Sequence, residues 1–148
     1  MTHEFTTTRR VEFSETDMAG IVHFSNFFRY MEATEHAFFR ALGIPLHADS
    51  PGGMSGWARV NAACDYRRPA RYEDLLEIEL RVREKTAKSL RYEFRFRLSD
   101  DGAPAAGQPI AVGSLTVVHV ARAAGEERMR AVDMPSEVVR LITVAPGD

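Results

Sequence analysis

Two stretches of this chain alternate strictly between apolar and charged side chains. Over residues 90–98, Leu90, Tyr92, Phe94, Phe96 and Leu98 oppose Arg91, Glu93, Arg95 and Arg97. Over residues 75–83, Leu76, Ile78, Leu80 and Val82 oppose Glu77, Glu79, Arg81 and Arg83. A period of two sends successive side chains to opposite faces, so these segments predict strands of a sheet with one buried and one wet face. Residues 84–89 join them as a hairpin. Residues 57–67 and 110–120 predict two further strands, and residues 6–13 a short first strand with Val11 and Phe13 on one face. Between residues 26 and 42 the spacing changes to three and four: Phe27, Tyr30, Met31, Thr34, Phe38 and Leu42 recur, with Arg29, Glu32, His36 and Arg40 mostly between them. That is a helix of about five turns. Ser25 or Asn26 caps its start, and Gly43 ends it with Pro45 just beyond. Residues 135–143 predict a short terminal helix beginning at Pro135 or Ser136. Residues 15–23, 47–56 and 100–109 read as loops, the second rich in Gly, Ser and Pro.

The long helix carries bulky apolar groups over more of its circumference than a surface helix needs. One such helix followed by consecutive antiparallel strands buries both apolar faces if the sheet curves around it, an α+β arrangement. The 148 residues fit one domain, residues 1–148, and a chain of that size buries roughly 68–70% of its unfolded surface. A formal net charge of −2 gives no global reason to expect nucleic acid or a membrane as partner. Arginines do interleave with aromatics over residues 91–97, but the aromatics take the opposite, buried face. Cys64 is the single cysteine, so no internal disulfide framework exists and a reducing, cytoplasmic compartment is expected. The N-terminus lacks the apolar run of a signal peptide, and no stretch approaches the roughly 20 apolar residues that span a bilayer.

The chemistry concentrates between residues 13 and 42. Asp17 lies in a loop with Gly20 that runs straight into the helix. A carboxylate beside helix-start amides can attack a carbonyl, or activate water to do so, while backbone N–H groups near 24–27 hold the developing oxyanion. The plain alternative is a turn or capping aspartate, common in such loops. The pattern D-x-A-G-[IV]-V, filled by Asp17, Ala19, Gly20, Ile21 and Val22 and followed by Asn26 and Phe27, decides between them. It resembles the signature of the 4-hydroxybenzoyl-CoA thioesterase branch of the hotdog-fold superfamily, which includes YbgC-like acyl-CoA thioesterases. A second match, C-D-Y-x-x-P-A-x-Y-x-D-x-L over residues 64–76, resembles that family's second strand and following turn.

The resemblance spans roughly residues 7–120. It implies a hotdog fold, a curved antiparallel sheet wrapped around one long helix, and hydrolysis of an acyl-CoA thioester. It places the family's catalytic carboxylate on Asp17 and its backbone oxyanion donor near Phe24, with Gly20, Ser25, Asn26 and Phe27 around the substrate. Some relatives carry a histidine where this chain has Phe24. His23 sits one position earlier and is either a second polar group in the pocket or a solvated or packing side chain. An acidic helix residue sometimes assists in this family, but for Glu32 and Glu35 a solvated face is the expectation. The phosphates of CoA need basic partners. Arg67, Arg68 and Arg71 after the second strand and Lys88 at the hairpin are the candidates, although such runs are often solvated surface. The histidines show no metal-ligand spacing, so no metal is implied, and no cofactor beyond the CoA of the substrate. The family resemblance further implies a homodimer formed by edge-to-edge sheets, and often a homotetramer. Two other readings remain: a thioesterase for carrier-protein-bound acyl chains, and a non-catalytic acyl-CoA-binding module.

Overall fold

The computed structural model describes residues 1–99 and 107–147. Most of the loop expected at 100–109 lies outside them. In chain order the elements are β1 (Glu4–Arg10), a single 3-10 turn (Phe13–Glu15), α1 (Asn26–Leu42), β2 (Ala48–Ser50), β3 (Gly53–Tyr66), β4 (Leu75–Lys85), β5 (Ser89–Ser99), β6 (Ala111–Ala123), β7 (Arg130–Ala131) and α2 (Ser136–Leu141). The strands form one antiparallel sheet in the order β1-β4-β5-β6-β3-β2, with β7 added to β6. Helix α1 packs against β1, β4, β6 and β3, so the sheet curls around it. This is the hotdog arrangement.

The alternation of β4 and β5 does what its period requires. Leu76, Ile78, Leu80, Val82, Leu90, Tyr92, Phe94 and Phe96 are buried against the helix. The aromatics of β5 are therefore core, not a nucleic-acid platform. On the other face Glu77 stands opposite Arg97, Glu79 opposite Arg95 and Arg81 opposite Glu93, which turns that face into a ladder of opposite charges. The helix buries Phe27, Tyr30, Met31, Thr34, Glu35, Phe38 and Phe39. Its close approach to β6 depends on Gly113, where a Cβ would overlap the end of Met31. At its C-terminus Gly43 takes φ 71 and donates to Arg40, while the Ile44 N–H reaches the Phe39 carbonyl at 3.0 Å. That pair of bonds is a Schellman stop.

Two expected boundaries differ. The first strand ends at Arg10 rather than continuing to 13: Val11 is core, but Phe13 opens the 3-10 turn and is exposed. Residues 47–56 are not simply a loop. Ser50 pairs with Gly53 in a tight β2–β3 hairpin, and β3 starts at Gly53 rather than Trp57. Gly53, at φ 134 and pressed against the Arg122 backbone, makes that turn feasible. Beyond Ser55 the outer side of β3 has no strand partner among the described residues, and Val60 is exposed there. No helix among these residues is long and apolar enough to cross a membrane.

Candidate active site

The site grows from the connection between β1 and α1. Past Arg10 the chain tightens around residues 12–15. The Glu15 N–H reaches the Glu12 carbonyl at 3.0 Å, and the Glu15 carboxylate accepts the Glu12 N–H at 2.8 Å. A second tight loop follows, closed by Asp17 N–H to Ile21 O at 2.9 Å and Gly20 N–H to Asp17 O at 3.0 Å. Gly20 sits at φ 81, a conformation open to glycine without steric cost. Asp17 Oδ1 accepts the Ala19 N–H at 2.8 Å. This bond orients the carboxylate, and among the described residues Oδ2 has no protein partner.

The loop then docks on two distant segments. Val22 N–H reaches Ala70 O at 2.8 Å, and Ile21 forms a β-bridge with Arg71. His23 N–H reaches Glu15 O at 2.9 Å, and the same carbonyl accepts the Asn26 side-chain amide at 2.8 Å. Helix α1 starts with tight i→i+3 bonds: Asn26 N–H to His23 O, Phe27 N–H to Phe24 O and Phe28 N–H to Ser25 O. Ser25 N–H points to His23 Nδ1 at 3.3 Å. The expected set of free amides near 24–27 therefore shrinks to one. The Phe24 N–H alone has no acceptor among the described residues, because tightening of the first turn satisfies the others. His23 itself is exposed and stacks on Phe24 at 4.5 Å. Its Nδ1 also meets Ser25 Oγ at 2.7 Å.

Asp17 and Phe24 line one cavity of about 420 Å³, with Ile21, Val22, Phe27, Tyr66, Arg67, Arg68, Pro69 and Ala70. The Tyr66 hydroxyl donates to Phe24 O at 2.9 Å, and its ring meets Phe27 edge-on at 5.3 Å. Burial and the neighbouring Cys64 push that hydroxyl up to about 12, so it stays a donor. Burial likewise pushes the Cys64 thiol up to about 11, which keeps it protonated and a poor nucleophile. The walls contributed by Ile21, Val22, Tyr66, Pro69 and Ala70 were not singled out from sequence as site residues. The second motif contains Tyr66, Pro69 and Ala70, so the signal was present; what was missing was its long-range docking on the Asp17 loop.

Of the other candidates, Gly20, Ser25 and Asn26 build the loop and helix start without lining the cavity. Arg67 and Arg68 stand on its rim, Arg68 donating to Gln108 O at 3.1 Å. Arg71 lies behind the loop through its bridge to Ile21. Lys88 is not brought to this cavity. Its carbonyl accepts the His119 N–H, and His119 pairs with Trp57, whereas Tyr66 pairs with Ala111 at the other end of β3 and β6.

Glu32 and Glu35 separate. Glu32 is 56% exposed, as a solvated face requires, but Glu35 is fully buried. It forms an ion pair with Arg59, which reaches in from β3. Burial raises the Glu35 carboxyl above its ordinary value despite the opposing pull of Arg59 and Tyr92.

Residues 11–142 match the model of the thioesterase-like superfamily. An Aquifex aeolicus (strain VF5) protein named provisionally as an esterase is 40% identical over 88 residues, covering 60% of this chain and 65% of that protein. The 4-hydroxybenzoyl-CoA thioesterase of Pseudomonas sp. (strain CBS-3) is 29% identical over 143 residues, 95% of this chain and 99% of its own. A solved 4-hydroxybenzoyl-CoA thioesterase variant in complex with 4-hydroxybenzoyl-CoA superposes with a TM-score of 0.78. It is 24% identical and is covered in full by 96% of this chain, a likeness that carries the fold.

Proposed function

The chain belongs to the thioesterase-like superfamily and is a thioester hydrolase, and from that premise we propose that it cleaves an acyl-CoA to the free acid and CoA with Asp17 at the chemistry. The observation that carries the reading is the meeting of an oriented carboxylate and the Phe24 N–H, which has no acceptor among the described residues, on one cavity. Asp17 Oδ2 acts in one of two ways. It attacks the thioester carbon, expelling CoA thiolate and leaving a mixed anhydride that water opens. Alternatively it takes a proton from water as the hydroxyl oxygen bonds to that carbon, and the departing thiolate receives the proton. In both routes negative charge develops on the carbonyl oxygen, and the Phe24 amide at the helix start receives it.

The acyl group is proposed to be aromatic or of short to medium length. A cavity walled by Val22, Phe27, Tyr66 and Ala70 suits an apolar acyl group, and the Pseudomonas relative is named for an aromatic acyl-CoA. Arg67 and Arg68 on the rim are proposed to meet CoA phosphates, with Arg71 behind them. No further cofactor enters this reaction. The unpaired outer side of β3 supports a homodimer through β3 edges, and from it a tetramer. The test is thiol release from CoA esters running from acetyl to palmitoyl and including benzoyl, hydroxybenzoyl and phenylacetyl. The reading expects at least one ester to turn over, and Asp17→Asn to slow it by about a hundredfold or more. Binding without turnover across the panel would contradict it.

A further inference from the structure

Glu15 does not line the cavity, yet it is bonded to both segments that hold the cavity's polar pair. Its carboxylate accepts from the Glu12 N–H at 2.8 Å and from Arg9 of β1 at 2.5 Å. Its carbonyl accepts from the His23 N–H at 2.9 Å and the Asn26 side chain at 2.8 Å. Asp17 follows it by two positions, and Phe24 follows His23 by one. The Arg9 guanidinium in turn lies 5.4 Å over the ring of Tyr30, a buried residue of α1. One residue thus joins the first strand, the Asp17 loop and the first turn of the helix. Burial works against charge on the Glu15 carboxyl, but the Glu12 amide, Arg9 and Tyr30 outweigh it and hold the group below its ordinary value.

Resting on the hydrolase reading above, we infer that Glu15 is a positioning residue whose bonds set the separation between the Asp17 carboxylate and the Phe24 N–H. The two groups must bracket one carbonyl, and a displacement of about 1 Å between reacting groups costs on the order of a hundredfold in rate. A purely stabilising ion pair would have little reason to be built here. Arg9 is 39% exposed, and pairs with one exposed partner contribute little stability.

The test is Glu15→Gln, which keeps the shape and the backbone carbonyl but removes the charge that holds Arg9. On the best ester, kcat should fall about tenfold or more while KM stays within about threefold. In an Asp17→Asn background the same change should cost less than about twofold, because positioning acts only through the group positioned. An undiminished tenfold loss in that background, or an unchanged kcat in the wild-type background, overturns the assignment. Amide hydrogen exchange reads the clamp without turnover. The His23 amide should exchange about tenfold faster in Glu15→Gln while β5 core amides keep their rates. Unchanged His23 exchange overturns the clamp whatever the chain hydrolyses. If wild type cleaves no ester, the hydrolase reading fails by itself and the exchange result alone decides the clamp.

Discussion

An arginine, glutamate and tyrosine cluster stands beside the start of helix α1 and a second beside its middle, and the two carboxyls answer their surroundings in opposite directions. At the entrance, Glu15 is 12% exposed and faces Arg9 and Tyr30. Further along, Glu35 is fully buried and faces Arg59 and Tyr92. Burial penalises charge in both. Glu15 overcomes the penalty because a backbone amide adds to its arginine. Glu35 does not, since it is buried more deeply and its Oε2 has no hydrogen-bond partner. The Tyr92 hydroxyl is held well up by burial and then by Glu35. The lesson is that residue types do not set the charge state; depth of burial weighed against the donors to the ionised form does. Neither cluster is fully satisfied, since Arg9 Nε and the Tyr30 hydroxyl at the candidate site also lack hydrogen-bond partners.

The largest expected effect that sharpens this contrast is at the buried cluster. Arg59→Met leaves a buried carboxylate unpaired and should cost about 3 kcal/mol at pH 7 by urea unfolding, and less at lower pH, where the raised Glu35 carboxyl is more readily protonated. A loss below about 1 kcal/mol at pH 7 would mean that Glu35 is already neutral in the native chain. Arg9→Met, at the partly exposed cluster, should cost about 1 kcal/mol or less in stability. Its kcat should nevertheless fall several-fold through Glu15.

The pH dependence separates the two clusters by sign. Glu15 is held below its ordinary value, so its contribution to stability is present above the unfolded-state value and fades as pH falls through the lowered folded one. Glu35 is held above, so its stability is fully present below the unfolded-state value and is lost as pH rises through the raised folded one. Unfolding curves across the acidic to neutral range should therefore show Glu15→Gln losing ground to wild type as pH rises, and Glu35→Gln gaining. Parallel slopes would break the comparison. Tyr66→Phe, which removes one hydrogen bond to Phe24 O, should cost about 0.5–1.5 kcal/mol with no such dependence on pH.

Much of this was legible in the chain. Periodicity alone located β4, β5 and α1 because each buries one face and wets the other. The Gly43 stop was readable because its left-handed backbone has a residue signature. The motif marked Asp17 before its geometry was known. The β2–β3 hairpin was hidden because Gly52 and Gly53 signal a turn without saying that strands flank it. Glu35 was hidden because its partner, Arg59, arrives from another element. The same holds for the cavity walls, which exist only because Val22 docks on Ala70. Phe24 was anticipated as one donor among several, and only the tight first turn of the helix singles it out.

The central claim is that Asp17 carries the chemistry at this junction. Its most direct test is single-turnover hydrolysis of the best CoA ester with enzyme in excess, comparing wild type with Asp17→Asn and recording Tm for both. The account predicts a rate at least about a hundredfold lower in the variant, with Tm within a few degrees of wild type. A variant that hydrolyses the ester at the wild-type rate would contradict it.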